Sequence, residues 1–81
     1  MIKIYSTSWC GPCNSAKRML EELGYVFEEI DIEKQGISRK KLQKLTGGAT
    51  VPQIIIKGES IGGFDSLIKL NQEGTLKEML K

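Results

Sequence analysis

The sequence predicts an α/β fold in which a four-stranded mixed sheet is flanked by helices, in the order β-α-β-α-β-β-α. Apolar residues recur with helical spacing over residues 16–23, between two segments of strand character. A strand, a helix and a strand within thirty residues imply a parallel pair joined by a right-handed crossover. Lys57-Gly58 then joins two further short strands as a tight hairpin.

The first strand and the first helix are clearly marked. Ile2 and Ile4 alternate with polar neighbours and predict a strand over residues 2–6. A helix follows from about Gly11, and Gly24 is expected to end it. The side chains expected to face the core lie at i, i+3, i+4 and i+7: Ala16, Met19, Leu20 and Leu23.

Aromatic and β-branched residues predict a second strand over about 25–32. Ser38 is the expected N-cap of a second helix, whose inner face includes Leu42 and Leu45. Gly47-Gly48 should stop this helix.

The first turn of the second helix, Arg39-Lys40-Lys41, carries positive charge where a helix dipole favours negative side chains. One interpretation is a solvated face with a small stability cost. The other is a basic patch that attracts an anionic substrate or an acidic partner. The sequence leaves both open.

A third strand is predicted to open at Thr50-Val51-Pro52-Gln53 and to continue through 54–56 without polar alternation, as in a strand covered on both faces. A short fourth strand follows over 59–61. Asp65 is expected to cap a third helix, whose inward side chains are Leu67, Ile68 and Leu70. Beyond Gly74, Thr75 and Glu78 predict a capping box for a final helical turn.

The chain has 81 residues, and we expect residues 1–81 to form a single domain. A net charge of +2 is too small to indicate nucleic-acid binding. Residues 1–5 are too short and too interrupted for a signal peptide, and no apolar run reaches membrane-spanning length. We therefore expect a cytoplasmic monomer that binds neither nucleic acid nor membrane.

The only two cysteines lie in Trp9-Cys10-Gly11-Pro12-Cys13, where the first strand meets the first helix. Only a deprotonated sulfur attacks disulfides, and the free N–H groups at a helix start favour the thiolate of Cys10. Pro12 suits the first turn, where its missing N–H costs nothing. Cys13 lies one turn inside the helix, close enough to close a disulfide. The motif therefore predicts a redox dithiol in which Cys10 attacks and Cys13 resolves.

Two other interpretations of the motif are weaker. A structural zinc site normally needs four Cys or His ligands, and this chain has two cysteines and no histidine. A stabilising disulfide gains most when it closes a long loop, and this loop is very short. We therefore predict no metal site.

Three segments together make the chain resemble the glutaredoxins of the thioredoxin-fold superfamily over essentially its whole length. They are Cys10-Gly11-Pro12-Cys13, Thr50-Val51-Pro52-Gln53 and Gly62-Gly63-Phe64-Asp65. The resemblance implies a thioredoxin fold of glutaredoxin type. Glutaredoxins usually have Cys-Pro-Tyr-Cys at the active site. The Cys-Gly-Pro-Cys active site of this chain, preceded by Trp9, is instead the thioredoxin arrangement.

The resemblance also implies the binding residues. Val51-Pro52 would be a cis peptide beside the Cys10 sulfur, and the Val51 backbone would pair with an extended substrate. Gly63, Phe64 and Asp65 would bind the γ-glutamyl end of glutathione. The full set expected to contact substrate or glutathione is Trp9, Pro12, Thr50, Val51, Pro52, Gly63, Phe64 and Asp65.

The leading hypothesis is a dithiol–disulfide oxidoreductase that reduces protein disulfides or glutathione mixed disulfides, with glutathione as co-substrate and no tightly bound cofactor. A first alternative takes electrons from thioredoxin reductase and passes them to ribonucleotide reductase or a similar enzyme. A second is a glutathione-dependent iron–sulfur carrier, in which Cys10 thiolates of two subunits and two glutathiones hold a [2Fe–2S] cluster.

Overall fold

The computed structural model describes residues 2–80. Its elements follow the predicted order, and the final helical turn forms a short fourth helix. They are β1 (Ile2–Ser6), α1 (Gly11–Glu22), β2 (Phe27–Asp31), α2 (Arg39–Thr46), β3 (Gln53–Ile56), β4 (Glu59–Gly62), α3 (Phe64–Gln72) and α4 (Thr75–Met79). None of the helices within residues 2–80 has the length and apolar character needed to cross a membrane.

The four strands form one mixed sheet in the order β2-β1-β3-β4. β1 pairs parallel with β2, where Ile4 faces Glu29, and antiparallel with β3, where Ile4 faces Ile54. β3 and β4 pair antiparallel through the predicted hairpin, in which Lys57 and Gly58 have φ of 49° and 84°. Because β1 is an inner strand, the residues that follow its carboxyl end lie near the middle of one end of the sheet.

Both inner strands contribute to the core, together with α1, α3 and α4. The buried side chains of this cluster are Ile2, Ile4, Ala16, Leu20, Ile54, Ile56, Leu67 and Leu76. α2 packs against β3 and buries Leu42 and Thr46 separately from this cluster. Helices therefore flank the sheet, and the burial of β3 agrees with its unbroken isoleucine run.

Two leucines predicted to face inward are exposed, Leu23 to 41% and Leu45 to 50%. Leu23 is the C-cap of α1, the last position before the chain leaves the helix at Gly24, whose φ is 83°. In the short helix α2, the inner stripe is occupied by Leu42 and Thr46, whose hydroxyl donates to the Leu42 carbonyl at 2.8 Å. Leu45 is rotated by about 100° from Thr46 and lies outside the stripe.

The predicted signals at the ends of α1 and α2 are confirmed. The Ser38 hydroxyl accepts the Lys41 N–H at 3.1 Å. Gly24 and Gly47 follow their helices with φ of 83° and 88°, in the left-handed region that glycine enters at low cost. After α1, the Tyr25 N–H also bonds the Leu20 carbonyl at 3.0 Å, which completes a Schellman motif.

The two predicted side-chain caps at the other helices are wrong. Gly63 is the N-cap of α3, and Asp65 lies two residues beyond it, as the second residue of the helix. α4 begins after Gly74, whose φ is 79°, and has no side-chain cap hydrogen bond. Thr75 is thus the first helical residue and not the N-cap that the predicted capping box requires.

Two strands are shorter than predicted. β2 starts at Phe27, not near residue 25, because the Tyr25 N–H is used to close α1. β3 starts at Gln53, since Pro52 has no N–H to contribute to the ladder.

Candidate dithiol active site

The dithiol lies where β1 gives way to α1. Cys10 is the N-cap of α1, with extended backbone angles, and Pro12 lies in the first turn as predicted. The Cys13 N–H donates to the Cys10 Sγ at 3.2 Å, so the sulfur acts as the helix cap. A thiolate there gains from both the hydrogen bond and the positive end of the helix dipole.

Cys13 lies behind Cys10, with no exposed surface. Burial, and then the hydrogen bond and charge of Cys10, raise the pKa of the Cys13 thiol from 9.0 to about 12. The backbone of Thr7 and the charge of Lys17 oppose this rise. Cys13 is therefore a protonated thiol at neutral pH.

The raised pKa makes the stability of the reduced protein depend on pH. In the unfolded chain the Cys13 thiol titrates near 9.0, but in the folded chain near 12. Its stabilising contribution is complete below about pH 9 and is lost as the pH rises toward 12, because the unfolded state then releases its proton first. Urea unfolding between about pH 8 and pH 11 in reductant should show a steeper decline for the wild type than for Cys13→Ser, which lacks this thiol. Parallel declines in the stability of the two proteins would contradict the raised pKa of the Cys13 thiol.

A second segment reaches the dithiol from 41 residues away. The Val51–Pro52 peptide is cis, as the resemblance implied. As a thiol, Cys10 donates to the Val51 carbonyl at a sulfur–oxygen distance of 3.7 Å. The loop before β3 therefore lies directly against the sulfur.

The Gly62-Gly63 pair lets a third segment approach this loop. Gly62 has φ of 101°, and a Cβ there would lie 2.9 Å from the Ser66 hydroxyl oxygen. A Cβ on Gly63 would lie 3.4 Å from the Pro52 carbonyl oxygen. These two glycines allow the start of α3 to lie beside the Pro52 loop.

The three segments enclose a cleft of about 370 Å³. Its lining residues are Pro12, Thr50, Val51, Pro52, Gly63, Phe64, Asp65 and Ser66. All the predicted substrate-contacting residues except Trp9 are thus brought together. Ser66 was missed, and its only sequence signal is its place after Asp65. A larger cleft of about 510 Å³ between β4, α3 and α4 contains none of the predicted site residues, so size alone does not locate the chemistry.

Trp9 lies outside this cleft, with 64% of its surface exposed beside Cys10. Its indole Nε1 donates to a Glu33 carboxylate oxygen at 3.0 Å. Glu33 is held in turn because its N–H donates to an Asp31 carboxylate oxygen, also at 3.0 Å. The indole ring is therefore held by a residue that sequence reasoning missed, since nothing local links positions 9 and 33.

Lys17, on α1 one turn beyond Cys13, forms an ion pair with Glu29 of β2. The Ser6 hydroxyl donates to the same Glu29 oxygen at 2.9 Å. The Lys17 hydrogen bond first, and the Ser6 hydrogen bond with it, lower the pKa of the Glu29 carboxyl. Lys17 is thus tied to the sheet edge beside the dithiol.

The two cysteines lie at the start of the helix that follows an inner strand, next to a cis-proline loop. This arrangement defines the class of the protein, a dithiol protein of thioredoxin fold. Residues 2–61 match the family model described as Glutaredoxin. The chain belongs to the glutaredoxin family and is a thiol–disulfide oxidoreductase.

Relatives along the whole chain agree with this assignment. Glutaredoxin 3 of Escherichia coli (strain K12) is 38% identical over 80 residues, which cover 99% of this chain and 96% of that protein. The glutaredoxin of Pseudomonas aeruginosa is 38% identical over 79 residues, covering 98% and 94%.

Solved structures are similar as well. A buckwheat glutaredoxin–glutathione complex superposes with a TM-score of 0.88 at 31% identity, over 98% of this chain and 74% of that one. The solution structure of a Brucella melitensis glutaredoxin gives a TM-score of 0.83 at 37% identity, over 99% and 87%. The buckwheat protein binds glutathione in its crystal.

Proposed function

We propose that this chain reduces protein disulfides and glutathione mixed disulfides, with Cys10 as the nucleophile and Cys13 as the resolving thiol. The observation that carries the proposal is the Cys13 N–H held 3.2 Å from the Cys10 Sγ at the start of α1. That arrangement stabilises a thiolate on Cys10 and keeps the second sulfur one turn away.

The reaction consists of two displacements. The Cys10 thiolate attacks one sulfur of the substrate disulfide, the S–S bond breaks, and one substrate thiolate leaves. Cys13 then loses its proton and attacks the Cys10 sulfur, which releases the second substrate thiolate. Two electrons pass from the dithiol to the substrate, and a Cys10–Cys13 disulfide remains.

The order of the two displacements follows from the surroundings of Cys13. While Cys10 carries a thiolate, its hydrogen bond and charge help to raise the pKa of the Cys13 thiol. Once the Cys10 sulfur is bonded to a substrate, both contributions disappear, while burial still raises the pKa of the Cys13 thiol and the Thr7 backbone and the Lys17 charge still lower it. Cys13 is therefore deprotonated more easily after capture than before it.

Glutathione is the proposed co-substrate and binds in the 370 Å³ cleft. Its cysteine sulfur approaches Cys10, and its backbone pairs with that of Val51 as an added strand would. The γ-glutamyl end carries an amine, which suits the Asp65 carboxylate, and a carboxylate, which suits the start of α3. The N-cap of α3 is Gly63, which has no side chain. The first N–H groups of the helix therefore donate to no N-cap side chain.

A second source of electrons is supported by the thioredoxin-type motif and by the exposed ring of Trp9 next to it. In this alternative, thioredoxin reductase reduces the Cys10–Cys13 disulfide and the chain passes the electrons to a protein such as ribonucleotide reductase. Either route needs a reducing compartment, and the cytoplasm provides one.

Two NADPH-coupled assays on the purified protein test the proposal, one with glutathione and glutathione reductase, the other with thioredoxin reductase. Each uses a glutathione mixed disulfide and a protein disulfide as substrates. We expect turnover of both substrates in the glutathione assay. Turnover confined to the thioredoxin reductase assay would remove glutathione from the proposal, and turnover in neither would contradict the proposed function.

A further inference from the structure

The charges of the chain are strongly segregated. Residues 34–58 contain six of the twelve Lys and Arg and none of the ten Asp and Glu. This segment therefore carries +6, while the rest of the chain carries −4. The small net charge of +2 conceals this asymmetry.

Four of the six cations belong to α2, and we call them the α2 basic face: Arg39, Lys40, Lys41 and Lys44. All four are exposed. None of them pairs with a carboxylate among residues 2–80. Three lie in the first turn, where positive charge opposes the helix dipole, so the arrangement costs stability and is not offset by local ion pairs.

One end of this face adjoins the loop that contacts Cys10. The Arg39 guanidinium Nη1 donates to the Ala49 carbonyl at 3.0 Å. Ala49 leads through Thr50 to Val51, whose carbonyl lies 3.7 Å from the Cys10 Sγ. A molecule that lies along α2 and extends past Arg39 therefore meets the loop that lies against the sulfur.

We propose that the α2 basic face docks an acidic segment of a protein substrate and so brings that substrate's disulfide to Cys10. This inference rests on the proposed function. Unpaired cations along a helix attract a segment rich in Asp and Glu and raise its rate of encounter. A nucleic acid would also match the positive charge of this face, but it carries no disulfide for Cys10 to reduce.

Three peptide disulfides of matched length test the docking, with Glu, Gln or Lys flanking the cystine. Stopped-flow Trp9 fluorescence follows oxidation of the reduced protein by each peptide. At low salt the Glu peptide should react about tenfold faster than the Gln peptide, and the Lys peptide more slowly. Raising ionic strength from about 0.01 M to about 1 M shortens the screening length from about 30 Å to about 3 Å, so the three rates should converge.

Charge reversal locates the effect. Lys40→Glu/Lys44→Glu should abolish the preference for the Glu peptide and leave the rate with the Gln peptide unchanged. Lys69→Glu/Lys77→Glu changes the net charge equally on exposed positions of α3 and α4, and should retain most of the preference. Glu at position 40 suits the helix dipole, so α2 should still form in the first variant.

The outcomes separate the two proposals. The docking proposal would be overturned if both double variants kept the same preference for the Glu peptide, or if both lost that preference equally. A wild type that reacts with the three peptides at one rate would overturn the docking face and leave the proposed function standing. A wild type that reacts with none of them would overturn both.

Discussion

Cys10→Ser is expected to abolish reduction of every disulfide substrate, with a loss of roughly a thousandfold or more, because a serine hydroxyl is not ionised at neutral pH and cannot replace the thiolate nucleophile. The coupled glutathione assay measures the loss. The Cys13 N–H that donates to the Cys10 sulfur can donate to a serine oxygen instead, so α1 keeps its N-cap and the fold should survive the exchange. Substantial residual turnover in this variant would contradict the assignment of Cys10.

Cys13→Ser is the matched control, and its expected result differs between substrates. With a glutathione mixed disulfide, Cys10 alone completes the cycle, since a second glutathione can attack the mixed disulfide on Cys10. With a protein disulfide, the captured substrate has no internal resolving thiol and turnover should fall at least about tenfold. An equal loss with both substrates would show that the two cysteines do not have separate roles.

Leu20→Ala is expected to lower the free energy of unfolding by about 2–5 kcal/mol, because it leaves a cavity at a side chain with no exposed surface. Leu23→Ala on the same helix should cost less than about 1 kcal/mol, since Leu23 is 41% exposed. Urea unfolding at neutral pH in reductant measures both. The helical spacing alone predicts that both leucines face inward, so similar losses would contradict the structural finding that only Leu20 does.

Local signals accounted for most of the elements because they act within one or two turns of chain. The Ser38 cap, the glycines after α1 and α2, and the Lys57-Gly58 hairpin turn all lie where the sequence predicted. The alternation of Ile2 and Ile4 predicted β1 with its observed bounds. The caps at α3 and α4 failed because a glycine with the required backbone angles precedes each helix and supplies the turn without a side-chain bond.

The candidate site, like the fold, could be predicted only in part from local signals in the sequence. The Cys10–Cys13 pair at the start of a helix follows from the motif itself, since both residues lie within one turn. The residues that complete the cleft come from segments around 51 and 64, and the family resemblance was needed to associate them with the dithiol. The Trp9–Glu33 and Lys17–Glu29 contacts had no sequence signal, because the strand crossover that brings each pair together depends on the whole sheet.

The sequence alone determined the class of fold, the position of the dithiol and the segregation of charge, because each depends on residue type and short-range spacing. Only the tertiary structure decided which helix positions are buried and which side chains share the cleft. It also decided that the Arg39 end of the basic helix α2 adjoins the loop at Cys10. The reason is physical: burial and contact between distant residues depend on how the helices pack on the sheet, and that packing is a property of the assembled chain.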